Sequence, residues 1–283
     1  MAGPPLLFVE RRGSGPPVLL VHGFAATSFV YRHWAPELAR RFEVHLIDLK
    51  GCGEAPKPRD GRYGPRDLAA PIVEHILAHD LRDLTLVGHS LGGGVTLLAA
   101  LALVDLGQLD RVRALIGIAS AAYLQREPPF VRLSRTPFAP TLLRAAPKAS
   151  LMSRVVREIV YDPDGVTDAQ VEGYANPLRS ADACHAAVQI ARQAIPPDLT
   201  SITRRYAELD VPSLVLWGRS DRVVPLRLGE RLARDLPRGR LVVIDECGHI
   251  PQEETPAVSR QLVERFLEEH APTQAGKTSE SRE

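Results

Sequence analysis

The sequence predicts an α/β fold: an open, mostly parallel sheet covered by helices on both faces and interrupted by one helical insertion. Three observations carry that expectation. Short apolar runs recur along the chain and stay apolar residue after residue, as strands buried on both faces do, instead of alternating in polarity. Segments with helical spacing lie between those runs, and strand–helix alternation favours parallel strands joined by crossovers. The alternation stops once, between Ala122 and Tyr206, where no convincing strand can be found.

In chain order, "LLFVERR" holds the first plausible strand, and "PVLLVHG" (17–23) and "EVHLIDL" (43–49) are the next two, with a helix over Trp34 to Arg41 between them. A helix over Asp67 to His79 leads to the strand "LTLVGH" (84–89), and a helix over Ser90 to Val104 leads to "VRALIGIAS" (112–120). After the interruption come "SLVLWG" (213–218), a helix over Leu226 to Leu236, "RLVVID" (240–245) and a closing helix over Thr255 to His270. The interrupting stretch is rich in proline but contains helical patterns, "ASLMSRVVREIV" and "ADACHAAVQIARQAI". So long a loop without structure of its own would be unusual, so the stretch is expected to be a helical cap inserted at the sheet's edge. The expected division is a core of residues 1–121 and 207–270, a cap of residues 122–206 and a polar, disordered tail of residues 271–283.

Composition excludes several functions. Thirty-five basic against 34 acidic residues leave a formal net charge of +1, which gives no electrostatic reason to expect nucleic acid as a partner. Cys52, Cys184 and Cys247 are an odd number at wide spacing, so neither a disulfide framework nor a zinc site is expected. The first residues lack a basic segment followed by an apolar core, and no run approaches the ~18 apolar residues of a membrane span. A cytoplasmic protein with a small-molecule substrate, no metal and no cofactor is the expectation; oligomeric state is not encoded in any pattern found.

The stretch "GHSLGGGVTLLAALALV" (88–104) carries the chemistry. Ser90 falls between a buried strand and a helix, in a turn too tight for side chains at Gly88 and Gly92. The helix start points N–H groups at charge developing beside the serine. A serine hydroxyl is a weak nucleophile and needs a base, and the base needs an orienting acid. In a strand–turn–helix site of this kind the order Ser, acid, His is expected. His185 and His270 sit in a helical pattern and at the C-terminal end, whereas His249 in "VVIDECGHIPQEE" directly follows the last strand, which makes it the candidate base. Asp221 in "LWGRSDRVVP" has the right place for the acid; Asp245 stands too close along the chain to His249, and Asp48 precedes the serine. Backbone N–H groups of Leu91 and of Phe24, in "HGF", are the candidate oxyanion donors, and His22 beside Gly23 is read as holding that loop by hydrogen bonds to the backbone.

Together "HGFAATSFVYRHW", "DLKGCG", "GHSLGG", "WGRSDRVVP" and "CGHIPQEETP" resemble the α/β-hydrolase fold family, in particular its small lidded serine hydrolases. The resemblance spans nearly the whole chain. It implies a cap inserted after the sixth strand, the triad Ser90, Asp221 and His249, and hydrolysis without a cofactor. The sequence departs from the family in having one plausible strand before "VLLVHG" where two or three are usual, and Cys52 where His is frequent. A serine rather than an aspartate nucleophile argues against dehalogenase and epoxide hydrolase chemistry. Carboxylic-ester hydrolysis is the first expectation. The alternatives are C–C hydrolysis of a diketone-type ring-cleavage product, thioester hydrolysis, perhydrolysis, and a ligand receptor that keeps a slow triad.

From Arg126 to Arg157 there are seven basic residues, Arg126, Arg132, Arg135, Arg144, Lys148, Arg154 and Arg157, against the single acid Glu127 before Glu158. A solvated helical face is the preferred explanation; recognition of an anionic substrate by Arg132 and Arg135 is the alternative.

Overall fold

The computed structural model describes residues 6–124 and 129–270. Arg126, Glu127 and the expected tail from residue 271 lie outside the described residues.

Seven strands form one sheet among the described residues: β1 (Phe8–Arg12), β2 (Pro17–Val21), β3 (Glu43–Asp48), β4 (Leu84–His89), β5 (Val112–Ile118), β6 (Ser213–Gly218) and β7 (Gly239–Ile244). Their order across the sheet is β1-β3-β2-β4-β5-β6-β7. Only β1 is antiparallel, pairing with β3, and every other pair is parallel. β4 and β6 are buried at every position, as expected of strands covered on both faces. No helix among the described residues is long and apolar enough to cross a membrane.

Before the interruption the helices are α1 (Ala35–Leu38), α2 (Pro65–Ala78) and α3 (Leu91–Asp105). α1 is one turn rather than the eight residues expected from Trp34 to Arg41. The backbone after it tightens into three-residue turns, with Arg40 N–H to Glu37 O and Arg41 N–H to Leu38 O, because Glu43 N–H must already pair with Pro16 O to start β3. α3 is apolar on nearly all sides and is buried accordingly, between the sheet and α2.

Between β5 and β6 the chain forms α4 (Pro129–Ser134), α5 (Ala139–Ala145), α6 (Lys148–Ile159), α7 (Asp168–Ala175), α8 (Ala181–Gln193) and α9 (Leu199–Arg204). Side chains of Thr167 and Ser180 cap α7 and α8, accepting from Gln170 N–H and Ala183 N–H. α8 turns an apolar face inward that includes Cys184, Ala187, Val188 and Ile190. After β6 come α10 (Leu226–Asp235), α11 (Pro251–Glu254) and α12 (Pro256–Glu269).

Two expectations about the insertion change. It follows the fifth strand of the described residues, not the sixth, because a single described strand precedes Pro17. Nor does it sit at the edge of the sheet: β5 is an interior strand with β4 and β6 on either side, so the insertion leaves from the sheet's centre and lies across the C-terminal ends of the strands. A cavity of ≈ 340 Å³ lies there.

Candidate active site

β4 ends at His89 and α3 begins at Leu91, so Ser90 alone makes the turn between them. Its φ of 53° and ψ of −118° lie where a non-glycine residue is strained, at a cost of about 1–3 kcal/mol. The surroundings hold it there. Ser90 N–H donates to Ile118 O at 2.9 Å, and Ser90 O accepts from Gly93 N–H at 3.0 Å and Ala121 N–H at 2.8 Å. The close approach also requires glycine: a Cβ on Gly92 would lie 2.3 Å from His22 O, and one on Gly88 would lie 2.4 Å from Gly92 O.

Ser90 Oγ lies 3.0 Å from His249 Nε2, and His249 Nδ1 lies 2.9 Å from Asp221 Oδ2. An ionised carboxylate only accepts hydrogen bonds, so the ring proton belongs on Nδ1 and Nε2 is left to accept from the serine hydroxyl. The other oxygen of Asp221 accepts from Val223 N–H at 2.8 Å and Val224 N–H at 2.9 Å, which fixes the carboxylate plane. Both His249 and Asp221 are buried. The structure thus brings together three residues 28 and 159 positions apart.

The competing residues are engaged elsewhere. Asp245 is exposed and pairs with Arg219. Asp48 accepts from Ser28 N–H and Glu54 N–H and so braces two loops. His270 hydrogen-bonds Phe266 O at the end of α12, and His185 lies within α8.

His22 donates from Nδ1 to Gly23 O at 2.8 Å and accepts at Nε2 from Leu49 N–H at 3.1 Å. Burial lowers its pKa, with Asp48 opposing, so the ring is neutral and rigidly oriented. It ties the loop after β2 to the end of β3. That loop presents Phe24, which lines the cavity together with Ser90, Leu91 and His249. Leu91 supplies the first N–H of α3, a position with no acceptor within its own helix.

The cavity walls are almost wholly apolar, including Leu98, Leu142, Leu143, Met152, Val155, Val188 and Leu199. Three tyrosines also line it, but their hydroxyls are committed elsewhere: Tyr123 to Asp235, Tyr174 to Glu253 and Tyr206 to Ala122 O. Among the described residues no Lys, Arg, Asp or Glu lines the cavity. Arg132 is exposed, Arg135 donates to Ala191 O, and Lys148 donates to the carbonyls of Leu143, Arg144 and Ala146 at the end of α5. Burial and the Asp48 carboxylate push the Cys52 thiol up to about 12, which keeps it protonated and unreactive.

A family model for the alpha/beta hydrolase fold matches residues 16–256. The chain belongs to the α/β hydrolases. This α/β hydrolase is 28% identical over 253 residues to the uncharacterized hydrolase YugF of Bacillus subtilis, covering 88% of this chain and 89% of that protein. It is 29% identical over 264 residues to the 2-hydroxymuconate semialdehyde hydrolase of a Pseudomonas species, covering 91% of this chain and 88% of the relative. Among solved structures, a thermophilic esterase from Thermogutta terrifontis superposes with a TM-score of 0.77 at 27% identity, over 94% of each chain.

Some residues around the site lie within the motifs quoted above, but the sequence assigns them no role. His89 Nε2 lies 2.9 Å from His249 O and must donate to it. Burial, and then the nearby His249 ring, hold the His89 pKa well below the ordinary histidine value, so it stays neutral. Glu253, fully buried at its side chain, accepts from Arg32, Tyr174 and Gln170. Glu254 accepts three backbone N–H groups around His249. Proline at the first position of α11 followed by two glutamates is an ordinary helix-start pattern, which hides what the carboxylates bind.

Proposed function

We propose that this hydrolase cleaves carboxylic esters with a neutral, apolar acyl group through an acyl-enzyme on Ser90. His249 Nε2 takes the hydroxyl proton as Oγ attacks the ester carbon, and the carbonyl oxygen, now an anion, is met by the N–H groups of Leu91 and Phe24. The intermediate collapses by breaking the bond to the alcohol oxygen, which receives the proton from His249. Water, deprotonated by the same ring, then attacks the acyl carbon and Ser90 leaves with the proton returned. Asp221 holds the ring in the required tautomer and stabilises its charged form. Residues 122–206 serve as a cap whose apolar lining receives the acyl chain.

The observation that supports an ester is the absence of any charged side chain in the cavity lining among the described residues. A second reading, C–C hydrolysis of a diketone-type ring-cleavage product, draws support from the similarity to the muconate semialdehyde hydrolase. A muconate semialdehyde carries a carboxylate, and burying that charge in an apolar cavity without a partner costs several kcal/mol.

The two readings separate on a series of p-nitrophenyl esters. Each buried methylene contributes about 0.8 kcal/mol, so kcat/KM should rise about fourfold per methylene until the cavity is full. An ω-carboxylate on the same acyl chain should lower kcat/KM at least tenfold. A preference for a 2-hydroxy-6-oxo-dienoate over every ester would replace the ester reading with the second one.

A further inference from the structure

The main chain of His249 is anchored to residues from distant parts of the sequence. Its N–H donates to Ile159 O, at the end of α6, at 2.9 Å. Its carbonyl accepts from His89, the residue before the nucleophile. Glu254 closes the arrangement: Oε1 accepts from Ile250 N–H at 3.0 Å, and Oε2 accepts from Gly248 N–H at 2.9 Å and from Tyr161 N–H at 2.7 Å. One carboxylate therefore grips the residues on both sides of His249 and, with its second oxygen, a cap residue 93 positions earlier. The contact leaves no slack, since a Cβ on Gly248 would lie 2.6 Å from Ile159 O and 2.8 Å from Tyr161 N.

Glu253, the neighbouring residue, fastens a second part of the same face. Its buried carboxylate joins Arg32, beyond the loop that carries Phe24, to Gln170 and Tyr174 on α7. α6 and α7 are thus fixed to the core through two adjacent carboxylates. α4 and α5 instead pack on α8 and leave Leu133, Phe138 and Leu142 exposed.

We propose that Glu254 is a positioning residue that makes the placement of His249 depend on the seating of the α6 end of the cap. The inference rests on the reading of Ser90 and His249 as nucleophile and base. Charge-assisted hydrogen bonds from three N–H groups hold the carboxylate more firmly than neutral ones would. When Tyr161 and Ile159 move with the cap, Gly248 and His249 lose the partners that set the ring's height over Ser90. The cap then opens at α4 and α5, and the base stays in register only while α6 is seated.

The test compares Glu254→Gln, Glu254→Ala and Tyr161→Pro by the rate of fluorophosphonate labelling, by kcat and KM on p-nitrophenyl butyrate, and by the urea midpoint. Tyr161→Pro removes a single N–H, and the preceding Val160, at φ −89° and ψ 161°, is already extended as a residue before proline must be. Misplacing a base by about 1 Å can cost about 100-fold, so both Glu254 variants should lose 10- to 100-fold in labelling rate and kcat, and Tyr161→Pro about tenfold, with KM within about threefold. A purely structural role would lower the urea midpoint and leave kcat per folded molecule unchanged, which would overturn the proposal. So would parent-like labelling by Tyr161→Pro, because Glu254 would then brace the base loop without reference to the cap. Should Glu254→Ala fail to fold, Glu254→Gln and Tyr161→Pro still decide. Labelling of Ser90→Ala, by contrast, would overturn the nucleophile assignment itself, whatever the Glu254 variants do.

Discussion

Replacing Asp221 by asparagine should cost far more than the loss of one charge suggests, because the structure dictates which way the amide must face. Asp221 Oδ1 accepts from two N–H groups, those of Val223 and Val224, at 2.8 and 2.9 Å. Only the carbonyl oxygen of asparagine can take that place; an NH2 group there would face two donors. The NH2 group is therefore turned toward His249 Nδ1, where Oδ2 now lies at 2.9 Å. Its N–H makes Nδ1 the acceptor and moves the ring proton to Nε2, facing Ser90 Oγ at 3.0 Å. A ring protonated at that nitrogen cannot take the serine's proton. The corresponding change in a serine protease triad lowers kcat about 10⁴-fold, equivalent to about 5 kcal/mol of transition-state stabilisation, and the same order is expected for Asp221→Asn. KM on p-nitrophenyl butyrate should stay within about threefold, since Asp221 is not part of the cavity lining. Steady-state kinetics together with the urea midpoint check both parts. A folded Asp221→Asn enzyme within tenfold of the parent kcat would refute the tautomer argument.

Three further outcomes follow from the geometry. Gly92→Ala should destabilise by about 3 kcal/mol, the upper end of overpacking penalties, because the new Cβ would meet the Val21 and His22 carbonyls, which are backbone and cannot rotate away; urea unfolding measures it. Asp221→Ala should lower stability by about 1–3 kcal/mol by leaving the Val223 and Val224 N–H groups without their acceptor, a loss that Asp221→Asn avoids. Stability should also fall in acid through histidines buried in their neutral form. Burial lowers the pKa of His22, of His89 and, to about 4, of His75, where His79 and His45 add to the effect. Below pH about 6.5 the unfolded chain takes up protons that the folded chain refuses, so stability is whole above that pH and declines as pH drops toward each folded-state pKa. The urea midpoint of the parent should therefore be flat from pH 8 to 7 and fall below 6.5, and His75→Gln should make the decline between pH 6.5 and 4 shallower.

The sheet was legible in the sequence because its strands declare themselves locally: a run such as "LTLVGH" is apolar on both faces only if helices cover both. Ser90 was legible for a similar reason, since glycines at 88 and 92 around a serine after such a run make sense only as a tight turn. Which strands are neighbours is not written locally. The insertion's position over the sheet's centre depends on β5 lying between β4 and β6, which sequence order does not state. The two glutamates of α11 were hidden for the same reason. Glu253 meets Arg32 221 positions away, and Glu254 meets Tyr161 93 positions away. The cations of the insertion were visible as a run of charge, but only the fold shows Lys148 capping α5 and Arg135 bonded to Ala191 O, with neither side chain among those that line the cavity.

Ester hydrolysis by this chain is proposed to pass through a covalent acyl group on Ser90 Oγ. Mixing the enzyme with excess p-nitrophenyl butyrate, quenching in acid within milliseconds and mapping the mass of the peptide that contains Ser90 tests it directly. A butyryl adduct is expected on Ser90, forming with a burst of one p-nitrophenol per chain, and none is expected in Ser90→Ala. Turnover by Ser90→Ala at the parent rate, or a butyryl group on any other residue, would contradict it.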